Sequence, residues 1–175
     1  MRTITIIEDT GQKSGQHDNV AQWCEANGVR LRRQKLNVGD YQSPPRVAVD
    51  TKKGLNEIYA NIVSDHERFK AECIRAQEDG IHLVFLIEDT KITSFEDAKN
   101  WVNPLVKKYE REWGLIIRAQ KAGKMLSTRV PKPPVSSERL VGMMDAMQMK
   151  YGCEFRFCHP DKTGETIYKI LSESG

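Results

Sequence analysis

Apolar residues in this chain fall into short continuous runs that alternate with stripes at helical spacing. The continuous runs predict strands. Arg2 to Ile7 opens with one, and Glu8-Asp9 lies at its end. Val29 to Leu36 predicts a second, turning at Asn37-Val38-Gly39-Asp40. Val47 to Lys52 predicts a third, bounded by Pro44-Pro45. Ile81 to Ile87 is apolar throughout, as a central strand covered on both faces would be, and it also ends in an acidic pair, Glu88-Asp89. Cys153 to Cys158 is the last strand. Helical stretches lie between. Asp18 to Asn27 takes Asp18 or Asn19 as its cap and Gly28 as its stop. Leu55, Ile58, Tyr59 and Ile62 share a face. Ser64 and Glu67 make a capping box ahead of Phe69, Cys73 and Ala76, with Gly80 as the stop. Ser94 to Trp113 is helical, broken near Asn103-Pro104, and Leu115 to Leu126 continues it. Three prolines mark Val130 to Pro134 as an extended loop. Ser136 or Ser137 caps a helix lined by Leu140, Met144, Met147 and Tyr151 and stopped by Gly152. Glu165 to Leu171 is the last helix.

Strands alternating with helices predict an α/β sandwich, and the turn at Asp40 makes its sheet mixed. At 175 residues the chain is read as one domain with a real core. Arg30, Arg32, Arg33 and Lys35 charge both faces of the second strand, which predicts an edge guarded against pairing.

Composition narrows the classes. No apolar run approaches the roughly 20 residues of a membrane helix, and the N-terminus lacks a signal-peptide layout, so a cytoplasmic protein without a membrane span is expected. Cys24, Cys73, Cys153 and Cys158 then read as reduced, buried thiols. The closest pair, Cys153 and Cys158 before His159, lacks zinc-ligand spacing. The net charge of +3 permits nucleic-acid binding without arguing for it alone.

The chemistry gathers at the third strand. Alternation puts Asp50 and Lys52 on one face. A carboxylate there helps hold a divalent metal, and an ammonium beside it steadies an attacking water or the charge that builds on phosphate. Asp40 in the turn and Asp9 at the end of the first strand complete the set. Asp9, Asp40 and Asp50 are the candidate metal ligands, and Asp40, Asp50 and Lys52 the candidate catalytic residues. Each has a plainer reading: turn chemistry for Asp40, a solvated strand end for Asp50 and Lys52, a cap for Asp9. Their combination favours phosphodiester hydrolysis with Mg²⁺ or Mn²⁺. Lys53 is a rival to Lys52 but points to the opposite face. Glu57 contacts the metal or merely favours the helix dipole. The four histidines are scattered, so no catalytic histidine is indicated. Between Trp113 and Ser137 the basic residues Arg118, Lys121, Lys124, Arg129 and Lys132 meet no acid. That is either a solvated face or a track for a phosphate backbone, with Lys121, Lys124, Arg129 and Lys132 as the candidate DNA contacts.

These residues resemble a family. Ile6-Ile7-Glu8-Asp9, Leu36-Asn37-Val38-Gly39-Asp40-Tyr41 and Asp50-Thr51-Lys52 are similar to the motifs of the XPF/MUS-type structure-specific endonucleases, a branch of the PD-(D/E)XK superfamily. Arg68-Phe69-Lys70-Ala71-Glu72, Leu83 to Glu88 and Tyr151 to Phe157 extend the likeness. It implies a restriction-endonuclease-like mixed sheet flanked by helices. It also implies a metal-dependent endonuclease acting on branched or flapped DNA in recombination or repair. Four departures stand out: Asp50 for the family's Glu, Thr51 for its Arg, Asn56 where a later acid falls, and Gly11 where an arginine often follows. Residues 91–134 lack a clear counterpart and are read as an insertion. Two alternatives stay open: an inactive DNA-binding or scaffold module of the same fold, and a sequence-specific restriction enzyme. Met143 and Met149 fall outside the main stripe of their helix, which with the family's habit predicts a homodimer through the C-terminal third.

Overall fold

The computed structural model describes residues 4–12, 18–44, 46–124 and 130–173. Arg2, Pro45, Leu126 and Arg129 lie outside them. A six-stranded mixed sheet runs in the order β2-β1-β3-β4-β5-β6. Its strands are β1 (Thr5–Asp9), β2 (Arg30–Gln34), β3 (Tyr41–Ser43), β4 (Val47–Lys52), β5 (His82–Glu88) and β6 (Glu154–Cys158). The helices are α1 (Asp18–Ala26), α2 (Leu55–Tyr59), α3 (His66–Glu78), α4 (Phe95–Lys99), α5 (Leu105–Lys121), α6 (Ser137–Tyr151) and α7 (Thr163–Glu173). A π-helical turn over Ala60–Ser64 extends α2. The mixed α/β architecture is the one expected.

Two cores sandwich the sheet, because alternate side chains of one strand face opposite ways. Ala48, Phe85 and Phe155 pack with Ile58, Phe69 and Met144 from α2, α3 and α6. Val47, Val49 and Leu86 pack with Val20 and Ile167 from α1 and α7. Gly164 lets α7 approach α1, since a Cβ there would lie 2.6 Å from the Cβ of Trp23. β4 is buried at every position because β3 and β5 flank it and helices cover both faces. β2 is an edge strand with arginines outward, as its charges predicted.

Two expectations about the fold are corrected. The turn at Asn37–Asp40 does not fold β2 back as a hairpin. β2 pairs in parallel with β1, and the chain crosses to the far side of β1 to form β3, a strand too short to show a period. The antiparallel hairpin is instead β3–β4. Ser64 and Glu67 form no capping box, because the π-helical turn carries the chain past Ser64 and α3 starts at His66. Glu67 instead pairs with Lys70 at 3.7 Å. Ser136 does cap α6, accepting from the Arg139 N–H at 3.2 Å, and Gly152 ends it at φ 65°.

Candidate active site

Strand pairing brings the predicted residues together. Asp9 closes β1, and its N–H donates to the Asp40 carbonyl at 2.8 Å. The Asp40 N–H in turn donates to the Val49 carbonyl at 2.8 Å, so Asp40 is pinned between β1 and β4. Gly39 makes this crossing possible. Its φ is +69°, and a Cβ would sit 3.0 Å from the Val49 carbonyl oxygen. Asp9, Asp40, Asp50, Lys52 and Glu57 line one open cavity of about 430 Å³, with Lys35 and Gln12 at its border.

Asp50 and Lys52 share a face of β4, as alternation predicted. Lys52 Nζ lies 2.7 Å from Asp50 Oδ2. The two form a buried, charge-assisted pair in which the ammonium acts on the carboxylate both through its charge and as a donor. Lys52 also reaches Glu57 at 3.9 Å. Lys53 borders the same cavity, which corrects its predicted placement on the opposite face. β4 ends at Lys52, and beyond the strand the alternation no longer holds.

Charge in the cavity is out of balance. Burial pushes the Asp50 carboxyl well above the ordinary aspartate range; Lys52 opposes this, while Asp40 and Glu72 add to it. For Lys52, burial alone disfavours the ammonium, but Asp50, Glu72 and Glu57 outweigh it and hold its pKa above the usual lysine value. Both groups move towards their proton-bound forms for one reason: several carboxylates surround a single buried ammonium. A site in that state favours added positive charge.

Asp40 is held from the side. Its Oδ2 accepts from the Thr51 N–H at 2.8 Å and from the Thr51 hydroxyl at 2.6 Å. Asp9 accepts from the Leu36 N–H at 2.9 Å and pairs with Lys35 at 3.2 Å. Burial pulls its pKa up, but these donors win and hold it below the ordinary value. Asp9, Asp40 and Asp50 therefore line one cavity, while among the described residues no three acidic, histidine or cysteine side chains converge closely enough to form a ready metal cluster. The donor set is all carboxylate oxygen, which suits Mg²⁺ or Mn²⁺. The surplus of carboxylate around one buried ammonium fits a cation held by Asp40 and Asp50.

Sequence reasoning gave no site role to Glu72 or Lys35. Glu72 accepts from the Gly39 N–H at 3.3 Å and acts electrostatically on Asp50 and Lys52. Its signal was an acid beside Cys73 on the buried side of a helix. Lys35 follows β2, whose register sets Gln34 beside Asp9. It fills space that Gly11 leaves open: a Cβ on Gly11 would lie 3.1 Å from Lys35 Nζ. Lys121, Lys124 and Lys132 are exposed and distant in sequence from the cavity; Arg129 is outside the described residues.

The sequence profile of the ERCC4 domain matches residues 9–170. The fold is similar to that of XPF from Aeropyrum pernix, at 16% identity and a TM-score of 0.61, covering 97% of this chain and 64% of that one. It is equally similar to XPF from Aeropyrum pernix in complex with DNA, at 16% identity and a TM-score of 0.60, covering 98% and 64%. The chain thus spans less than two thirds of the length of those structures. No curated protein sequence matches it.

Proposed function

Because the chain belongs to the ERCC4 domain family, we propose that it is a divalent-metal-dependent DNA endonuclease acting on branched or flapped DNA in recombination or repair. In this reading it works in the cytoplasm as a homodimer, each chain a single nuclease domain with 91–134 as an insertion. The observation that carries the reading is the buried Asp50–Lys52 pair at 2.7 Å, set in a cavity with surplus carboxylate. Asp40 and Asp50, with help from Asp9, would hold Mg²⁺ or Mn²⁺, which supplies Lewis-acid stabilisation of charge on the phosphate. Asp40 is oriented for this by Thr51, and Glu72 steadies the Gly39 turn. Lys52 is the cation next to the reacting phosphate, where it orients water or offsets the developing charge. Lys35 and Lys53, at the cavity border, meet neighbouring phosphates.

One observation favours a second reading, a non-catalytic DNA-binding module. Lys52 already pairs with Asp50, one of the carboxylates a metal would need. Two measurements separate the readings. The protein is incubated with labelled flap, fork, four-way junction and linear DNAs in Mg²⁺ or Mn²⁺, and Mn²⁺ is titrated calorimetrically. Cleavage that disappears in Asp50→Asn supports the endonuclease. DNA binding with neither cleavage nor Mn²⁺ uptake supports the module. Cuts at fixed sites in linear duplex would instead indicate a restriction enzyme.

A further inference from the structure

Among the described residues, α5 is the long helix in which no side chain is buried. It still carries an apolar stripe. Leu105, Tyr109, Trp113 and Ile116 recur at helical spacing, and Leu105, Trp113 and Ile117 are 43%, 39% and 38% exposed. The Tyr109 and Trp113 rings lie almost parallel, 13° apart with centroids at 6.3 Å. The rest of the helix is basic: Lys107, Lys108, Arg111, Arg118 and Lys121 against Glu110 and Glu112. Beside α5 runs a groove of about 420 Å³, walled by Leu105, Tyr109, Glu112, Lys132, Pro134 and Tyr59, with the exposed Lys108 at 4.0 Å from Glu112. Tyr59 lies on α2, the short helix whose Glu57 faces the catalytic cavity, so α2 separates the two.

The charge selects the occupant. A second copy of α5 would close the stripe but would bring two basic flanks together. A polyanion matches the flanks, and aromatic faces beside phosphate-binding cations are how unpaired nucleic-acid strands are held. Bases within a duplex are already stacked and offer no free face.

We propose that α5 and its groove bind a single-stranded DNA segment, with unpaired bases stacking on Tyr109 and Trp113 and phosphates meeting Lys108 and Lys132. The inference rests on the nuclease reading for its choice of DNA, and what it adds is the face of the chain that holds an unpaired strand. Fluorescence anisotropy with a mixed-sequence single-stranded oligonucleotide and a blunt duplex, both in EDTA, tests it on the full chain. Trp113→Ala and Tyr109→Ala should each weaken single-strand binding by about tenfold and spare duplex binding. Trp113→Phe keeps a ring face and should retain most of the affinity, which separates stacking from loss of fold. Unchanged single-strand affinity, or equal loss for both DNAs, overturns the proposal. So does a wild-type dimer that Trp113→Ala converts to monomer without changing oligonucleotide binding, which assigns the face to a second copy. Cleavage of a four-way junction lacking unpaired arms, in Mn²⁺, reports on the nuclease reading separately. A protein that cuts nothing yet loses single-strand affinity in these variants keeps the inference and loses that reading.

Discussion

Thr51 donates twice to one oxygen of Asp40, through its N–H at 2.8 Å and its hydroxyl at 2.6 Å. Asp40 lies in the turn just before β3 and Thr51 on β4, eleven positions further along. Thr51→Val keeps the shape and the backbone bond but removes the hydroxyl. Stability should fall by about 1 kcal/mol and cleavage by roughly tenfold, with weaker Mn²⁺ binding. Thr51→Ser should restore all three. Single-turnover rates and calorimetry on the two variants check this; a fully active valine variant would show that Asp40 needs no such support.

Asp50→Asn should abolish metal-dependent cleavage while the circular dichroism spectrum stays that of the wild type. Lys52→Ala should lose at least roughly 10²-fold in rate with a smaller loss of DNA affinity. Full activity in both variants would sink the assignment of the site.

The metal-free protein should lose stability as pH rises above the ordinary aspartate value of about 3.9. Burial raises the Asp50 pKa, so above that value the folded chain still holds a proton that the unfolded chain has released, and unfolding free energy falls with pH until Asp50 ionises. Asp9 acts oppositely and only on the acid side, since its pKa is depressed when folded. Mn²⁺ should therefore stabilise more at pH 8 than at pH 5. Melting curves across pH with and without Mn²⁺ measure this, and Asp50→Asn should flatten the metal-free decline.

If Lys121, Lys124, Arg129 and Lys132 meet phosphates, replacing them with alanine should make the slope of log affinity against log salt shallower by about one unit per lost contact. A slope that does not move would return them to a solvated face.

Met149 is 89% exposed on α6, next to β6 at the free edge of the sheet. A homodimer formed there should sediment as such at tens of micromolar, and Met143→Glu should shift it to monomer. A wild-type protein that runs as a monomer removes this interface.

Much of the fold was legible because its signals were local. The all-apolar run of β5 marked a central strand, and the arginines of β2 marked an edge. Asp50 and Lys52 followed from strand alternation alone. What stayed hidden depended on tertiary crossing. β3 has three residues, too few to display a period, and its pairing with β1 is decided by where Gly39 lets the chain turn. The π-helical turn after α2 displaced the start of α3, which no spacing rule anticipates. Lys35 reaches the cavity, and Glu72 acts on Asp50 and Lys52 through its charge, from elements that carry no acid–lysine motif of their own. The exposure of the α5 stripe was likewise invisible, since an amphipathic pattern reads the same whether or not something covers it.

β5 and β6 are parallel neighbours joined by a long excursion that contains α5. Closing a flexible loop costs only about 0.6 kcal/mol more for each doubling of its length. A helix that buries nothing adds little to the stability of the sheet it leaves and rejoins. The stretch of α5 is therefore a place where length and composition can drift, or be exchanged by design, while β4, which carries Asp50 and Lys52, stays as it is.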